Sequence, residues 1–280
     1  MTAAAAQDAD AEAFDFYGPH YRRFGDELAA ATRREIFGDD LGQTGWRTAA
    51  EQAEIAQSLR LCPNRRLLDV GCGAGGPSLD LARRTGCLVV GIDVEAAGIA
   101  QAQGLAEALG LTALASFQVV DGSGELPFED GSFDAISCID AINHLPHRFA
   151  TLREWARLLR PGGRLLFTDS VVITGPVSKA ELDERAAIGF YLFVPPGLNE
   201  TALAAAGLRL LRCDDRTRAV ADIAARWHAV RARHAAALEQ QEGPAWYAQR
   251  QRFLAATAEL AESRRLSRFL YLAEKPDELA

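Results

Sequence analysis

The segment Leu67-Leu-Asp69-Val-Gly71-Cys-Gly73-Ala-Gly75-Gly76-Pro77 constrains this chain more than any other. An apolar run meets a carboxylate and then glycines at 71, 73 and 76, with a proline suited to the first turn of a helix. Glycine permits the tight strand-to-helix turn and leaves backbone N–H groups open to a ligand at the helix N-terminus. Further apolar runs at 87–92, 115–120, 133–139 and 164–168 follow the first at 66–70. Helical patterns at 77–85, 96–109 and 148–160 separate them. Short continuous apolar strands alternating with helices imply a parallel sheet covered on both faces. The right-handed crossover rule makes it doubly wound, so the expected class is α/β and Rossmann-like.

The flanks break this rhythm. Thr48-Ala-Ala-Glu51 has capping-box spacing and predicts a helix over 47–60. Residues 171–200 begin as a loop and helix and end in an aromatic run. A helix at 199–206 and a strand at 208–213 resume the sheet. Residues 217–263 read as two helices around Gly243-Pro244, and a last strand at 267–273 closes the pattern. The expected organisation is a tail and lid segment over 1–46, a cofactor-binding core over 47–170 and a lid insertion over 171–200. The core continues over 201–216, a helical-pair insertion fills 217–263, and 264–280 hold the last strand and tail. Residues 1–13, rich in Ala and Asp, are expected to be disordered.

Composition excludes several classes. A net charge of −8 argues against nonspecific binding of a polyanion, and no basic–aromatic interleaving points to nucleic acid. No apolar run approaches the roughly 18 residues that span a bilayer, so no membrane partner is expected. The five cysteines lack CxxC spacing and read as free thiols of a cytoplasmic protein, with no disulfide framework and no metal.

Glycine spacing by itself fits a nicotinamide-dependent oxidoreductase as well as any other nucleotide enzyme. The carboxylates discriminate. Asp93 closes the second apolar run, where an acid can accept both ribose hydroxyls. Asp69 puts a negative charge under the loop, which suits an ammonium and a sulfonium better than a pyrophosphate. Asp121, just past the third run, can accept from the amino group of an adenine. Together LDVGCGAGG, GID (91–93), VVDGSGELPFEDGSFDAI (119–136) and LLRPGGRLLFTD (158–169) resemble the class I S-adenosylmethionine-dependent methyltransferases, over about residues 44–170. The resemblance implies a seven-stranded sheet with its last strand antiparallel, and S-adenosylmethionine as donor with S-adenosylhomocysteine as product. It assigns Gly71 and Gly73 to the methionine end, Asp93 to the ribose and Asp121 to the adenine, with Asp69 orienting the loop and the ammonium of the donor. Gly122 and Cys138 fall in the same donor-binding segments. A non-catalytic cofactor-binding scaffold is the other alternative.

Methyl transfer from a sulfonium is an in-line displacement in which alignment supplies much of the catalysis. A base helps hydroxyl or carbon nucleophiles, and Asp140 and His144 follow the fourth run where ligands of such sheets bind. The unperturbed pKa of an imidazole, about 6.5, suits proton acceptance near neutrality. Asp169, ending the fifth run, is placed to approach Asp140 or Asn143. Tyr17, Tyr21 and Trp46 precede the first strand, and Phe190 and Tyr191 follow the fifth. With Phe14, Phe16 and Phe193 they form aromatic segments able to fold over the sheet edge as a lid, Phe14 and Phe193 more as packing. The stretch from Tyr17 to Trp46 loosely resembles glycine/sarcosine-type and natural-product methyltransferases. The expected partner is a small, partly apolar acceptor; a homodimer stays open.

Overall fold

In the computed structural model, which describes residues 17–277, every expected apolar run is a strand. These are β1 (Arg66–Val70), β2 (Leu88–Asp93), β3 (Ala115–Val119), β4 (Phe133–Ile139), β5 (Leu159–Ile173), β6 (Arg209–Asp215) and β7 (Leu266–Glu274). Ahead of them come α1 (Tyr17–Arg22), α2 (Glu27–Phe37) and α3 (Ala49–Ser58). Between strands lie α4 (Gly76–Thr85), α5 (Ala96–Ala108), α6 (Arg148–Leu158), α7 (Lys179–Arg185) and α8 (Leu198–Ala205). The stretch before β7 holds α9 (Thr217–Arg233), α10 (Ala235–Glu242) and α11 (Pro244–Glu262). Phe14, Phe16 and the Ala/Asp-rich start lie outside the described residues.

The strand order is β3-β2-β1-β4-β5-β7-β6. β1 to β5 run parallel, and β7 lies antiparallel between β5 and β6. This is the expected seven-stranded Rossmann-like sheet. β4 is buried at every residue because helices cover both faces. Leu152, Trp155 and Leu203 from α6 and α8 pack one face, while Ile55, Leu79 and Ile99 from α3, α4 and α5 pack the other. A third apolar cluster lies outside the sheet, where Ile36 and Trp46 meet Trp227 and Phe253 from α9 and α11.

Two expectations need correction. β5 is longer than the 164–168 run, because Gly162 and Gly163 exchange backbone bonds of 2.8 and 2.9 Å with Lys275 and extend the ladder. The expected helical pair over 217–263 is three helices, since the chain breaks at His234. No glycine or proline marks that break; tertiary docking does, with His234 on Glu35 at 2.7 Å and Gln241 on Asp26 at 2.5 Å. The capping box is half formed. Thr48 accepts from the Glu51 N–H at 3.1 Å, but the Glu51 carboxylate turns inward to Arg268.

Candidate active site

The strand order reverses between β1 and β4, and in open α/β sheets the ligand crevice lies beyond the carboxyl ends at that point. A cavity of about 720 Å³ opens there, within the usual range of small-molecule sites. Its first half lies over β3, β2 and β1. Gly71 turns with φ +73, and a Cβ on it would sit 2.5 Å from the Ala141 methyl, so only glycine lets the loop pass the end of β4. The Asp93 carboxylate accepts the N–H groups of Gly73 at 2.8 Å and Glu95 at 2.9 Å, which props the loop open. Burial raises the pKa of Asp93, opposed by these backbone donors. Asp121 and Gly122 stand at the rim, where Asp121 also accepts the Ser123 N–H at 2.8 Å. Val94 lines the cavity yet is 65% exposed, an uncovered apolar surface beside two carboxylates. Glycine backbone, acids and an open apolar wall fit the mixed chemistry of an adenosine bearing an amino acid.

Asp69 sits beneath this half rather than on its wall. Its carboxylate accepts from the hydroxyls of Ser78 and Ser137, the latter at 2.6 Å, and so ties β1 to β4 and to the start of α4. That braces the strand-to-helix turn from below; the expected reach to a donor's ammonium is not seen, because the carboxylate is buried and off the cavity wall. Cys138, expected at the donor, does not line the cavity. The alternation of β4 turns its thiol into the apolar core, where it is fully buried.

The second half lies over β4 and β5. Asp140 directly follows β4 with φ +57, and its carboxylate is held from three sides. It accepts the Trp46 N–H at 2.8 Å, the Thr168 hydroxyl at 2.9 Å and two Arg268 N–H groups at 2.6 and 3.2 Å. Arg268 is wholly buried and also donates to Glu51 at 2.8 Å. Asp140 thereby serves as a fastener instead of the free base suggested by its position. Asp169 does not approach it: its carboxylate takes Arg148 at 2.7 Å and Asn199 at 3.1 Å.

His144 is the titratable side chain that this fastening leaves facing the cavity. Its Nδ1 lies 2.7 Å from the Phe190 carbonyl and its Nε2 lies 3.0 Å from the Tyr17 hydroxyl. A carbonyl only accepts, so Nδ1 carries the proton and the Nε2 lone pair faces Tyr17. Burial lowers the His144 pKa to about 4, with the Phe190 carbonyl opposing and Arg185 adding to the shift. The ring is neutral at pH 7, well clear of the titration expected near 6.5. Tyr191 packs on it at 4.5 Å between centroids.

The aromatic residues separate into distinct places. Trp46 stacks against Phe253 and edges Trp227 on the cavity wall. Tyr21 lies over the glycine loop, where a Cβ on Gly73 would come within 2.6 Å of its hydroxyl, so it borders the donor half. Phe190 contributes its carbonyl while its side chain is 55% exposed.

Three wall residues carry no expected role. Asn143 is 1% exposed, and neither its side-chain oxygen nor its nitrogen has a hydrogen-bond partner. Arg185 and Arg250 are buried guanidiniums on the same wall. A signal for Arg250 exists in the sequence: it falls on the apolar stripe between Trp246 and Phe253, where a charge is out of place. Among the described residues no cluster of His, Cys, Asp and Glu is placed to hold a metal, and no helix is long and apolar enough to cross a membrane.

Residues 68–167 match the family described as "Methyltransferase domain". The chain is 39% identical over 134 residues to the methyltransferase GfsG of Streptomyces halstedii, covering 48% of this chain and 47% of that protein. It is 30% identical over 177 residues to 27-O-demethylrifamycin SV methyltransferase of Amycolatopsis mediterranei, covering 60% and 63%. It thus spans about half to two thirds of the length of these relatives. Among solved structures, Haemonchus contortus phosphoethanolamine N-methyltransferase 2, bound to phosphomonomethylethanolamine and S-adenosylhomocysteine, shares the fold with TM-score 0.76 and 19% identity. That match covers 94% of this chain and 60% of the other. The 4+2 cyclase SpnF superposes with TM-score 0.73 at 25% identity, covering 95% and 98%. Nothing in these findings supports the nicotinamide reading.

Proposed function

We propose that this chain, whose residues 68–167 match a methyltransferase domain, is a class I S-adenosylmethionine-dependent methyltransferase and that the protein as a whole methylates a hydroxyl oxygen of a small, partly apolar metabolite. The observation that carries this reading is the Tyr17–His144 pair, with its Nε2 lone pair on the cavity wall beside the end of β4. The O-methyl chemistry named for the rifamycin relative supports the choice of atom. The cofactor, S-adenosylmethionine, supplies when bound a sulfonium methyl whose carbon–sulfur bond breaks as the acceptor's new bond forms. Gly71 and Gly73 border its methionine end, Asp93 takes the ribose and Asp121 the adenine amino group. Cys138 has no part in this, and Asp69 acts only through the loop.

The other residues prepare the acceptor. Asn143 offers one donor and one acceptor to orient it, since both ends of its amide are open. Tyr17 holds its hydroxyl against Nε2 until the acceptor hydroxyl takes or shares that position, and Nε2 then receives the acceptor's proton. A lone pair with so low a pKa is a weak base at equilibrium, so this transfer belongs to the moment of methyl transfer rather than preceding it. Trp46, Trp227 and Tyr191 exclude water from that step. We assign Asp140 to positioning: it anchors the Trp46 backbone over the cavity. A cytoplasmic setting is consistent with the five free cysteines, and a net charge of −8 favours a small acceptor over nucleic acid.

The test is incubation with methyl-labelled S-adenosylmethionine and a panel of small alcohols, phenols and amines of matched skeleton. Label in O-methyl products is expected. Label confined to amines overturns the oxygen assignment, and donor binding without label in any product points to a different use of the fold, as the cyclase shows it can have.

A further inference from the structure

The guanidinium of Arg185 is 1% exposed and lies between two rings, with its carbon 4.5 Å from the Tyr191 centroid and 4.9 Å from that of Phe253. Its Nη2 donates to the Ser170 hydroxyl at 3.3 Å. Its Nη1 is buried and has no hydrogen-bond partner, and no carboxylate among the described residues pairs with Arg185. A buried unpaired cation is costly, and a charge kept in a cavity wall without a protein counter-ion is placed for a ligand's. The surrounding charges point the same way. On this side of the cavity Asp169 is paired with Arg148, and Asp140 shares Arg268 with Glu51. Arg250 adds a second buried guanidinium, 4.8 Å over the Trp227 ring, and burial with Arg231 nearby lowers its pKa to about 9. The wall carboxylates Asp93, Glu95 and Asp121 all lie over the other half. The cavity is therefore acidic at its donor end and basic at its acceptor end.

We propose that Arg185 anchors a carboxylate on the acceptor, so that the substrate class is an apolar or aromatic organic acid held by its anion while another atom is methylated. This rests on the methyl-transfer reading of the same site and adds the substrate's charge to it. The group fits a carboxylate better than a phosphate. Arg185 presents one open N–H edge between flat apolar walls, which suits a planar, singly charged group, whereas a phosphoryl dianion seeks three or more strong donors. Ser170 and the open amide of Asn143 are polar groups of the same wall. Arg250, stacked on its own ring, supplies long-range attraction.

The test uses the full chain saturated with S-adenosylhomocysteine and follows tryptophan fluorescence, since Trp46 and Trp227 line the cavity. Benzoate, cinnamate and octanoate are each titrated against their own primary amides, with phenyl phosphate alongside. At least one acid is expected to bind about tenfold tighter than its amide, a ratio set by the charge-assisted bond alone. Arg185→Gln is expected to erase that ratio and Arg185→Lys to keep part of it, each with the affinity for S-adenosylhomocysteine unchanged. Should Arg185→Gln lose its fold, shown by failure to bind the product, the wild-type ratio and the lysine variant decide. No acid outbinding its amide, a ratio that survives in Arg185→Gln, or phenyl phosphate binding tighter than every acid overturns the proposal. In those cases bound S-adenosylhomocysteine leaves the methyl-transfer reading standing, whereas a wild type that fails to bind it overturns that reading instead.

Discussion

The two halves of the cavity are built by different means. Over β3, β2 and β1 the wall is made by strand ends and one glycine turn, and apart from Tyr21 laid over the loop its groups fall within residues 70–123. Sheet register alone brings Asp93 to the glycine loop, because β1 and β2 pair residue for residue from Arg66–Leu88 to Val70–Ile92. Over β4 and β5 the wall is assembled from α1, the turn before α3, the segment after α7, and α9 with α11. Tyr17 and His144, which make the hydrogen-bonded pair proposed to react there, lie 127 residues apart. A site built from register tolerates little change in its loop. A site assembled from insertions can change its substrate while the sheet beneath it stays the same.

The joint between the halves is the strongest place to break this comparison. Arg268 on β7 binds Asp140 at the end of β4 and Glu51 on α3, all buried. Arg268→Met leaves two buried carboxylates without a cation, and removing one partner of such a pair costs about 3–5 kcal/mol. Urea unfolding of the variant checks this, with a loss below about 1 kcal/mol showing that the joint is held by something else.

Asp93→Ala sharpens the comparison from the donor side. The hydrogen bonding to the ribose proposed there is worth about 1.5–3 kcal/mol in all, and the variant should bind donor about 10- to 100-fold more weakly. The NMR titration of His144 should stay where it is in the wild type. An unchanged donor affinity removes Asp93 as the ribose ligand; a displaced His144 titration shows that the halves are coupled through the loop.

A third expected effect concerns pH. His144 has a pKa of about 4 in the folded chain against about 6.5 unfolded, so the unfolded chain binds the extra proton between those values. Its contribution is fully present above pH 6.5 and is lost as pH falls towards 4. The groups acting on it are the Phe190 carbonyl, Arg185, Asp140, Asp169 and the Tyr17 hydroxyl. Unfolding free energy measured from pH 7 to 4 should fall less steeply in His144→Gln than in the wild type. Parallel curves would place the imidazole in water. His20 shifts in the same direction by burial and cancels in the difference.

The same contrast explains what could be read from residue order. The donor half was legible because its signal is local: a strand, three glycines and carboxylates at fixed distances along the chain. Cys138 failed within that half because strand alternation, rather than proximity to Asp140, decides which way a side chain faces. In the other half the segment was found but the roles were not. Asp140 looked catalytic until Arg268, 128 residues away, took its charge. Arg185 could not be found at all, since its importance lies in having no carboxylate partner among the described residues, a property that exists only once the chain is folded. The break at His234 was hidden for the same reason, being set by Glu35, 199 residues earlier.

The central claim is that the donor half binds and the acceptor half reacts. Its most direct test is His144→Ala, with kcat for methyl transfer and Kd for S-adenosylhomocysteine measured on the same preparation. Loss of a base that accepts the acceptor's proton predicts a fall in kcat of about 100-fold or more, with Kd within about twofold of the wild type. Full turnover in the variant, or a Kd that weakens in step with kcat, would contradict it.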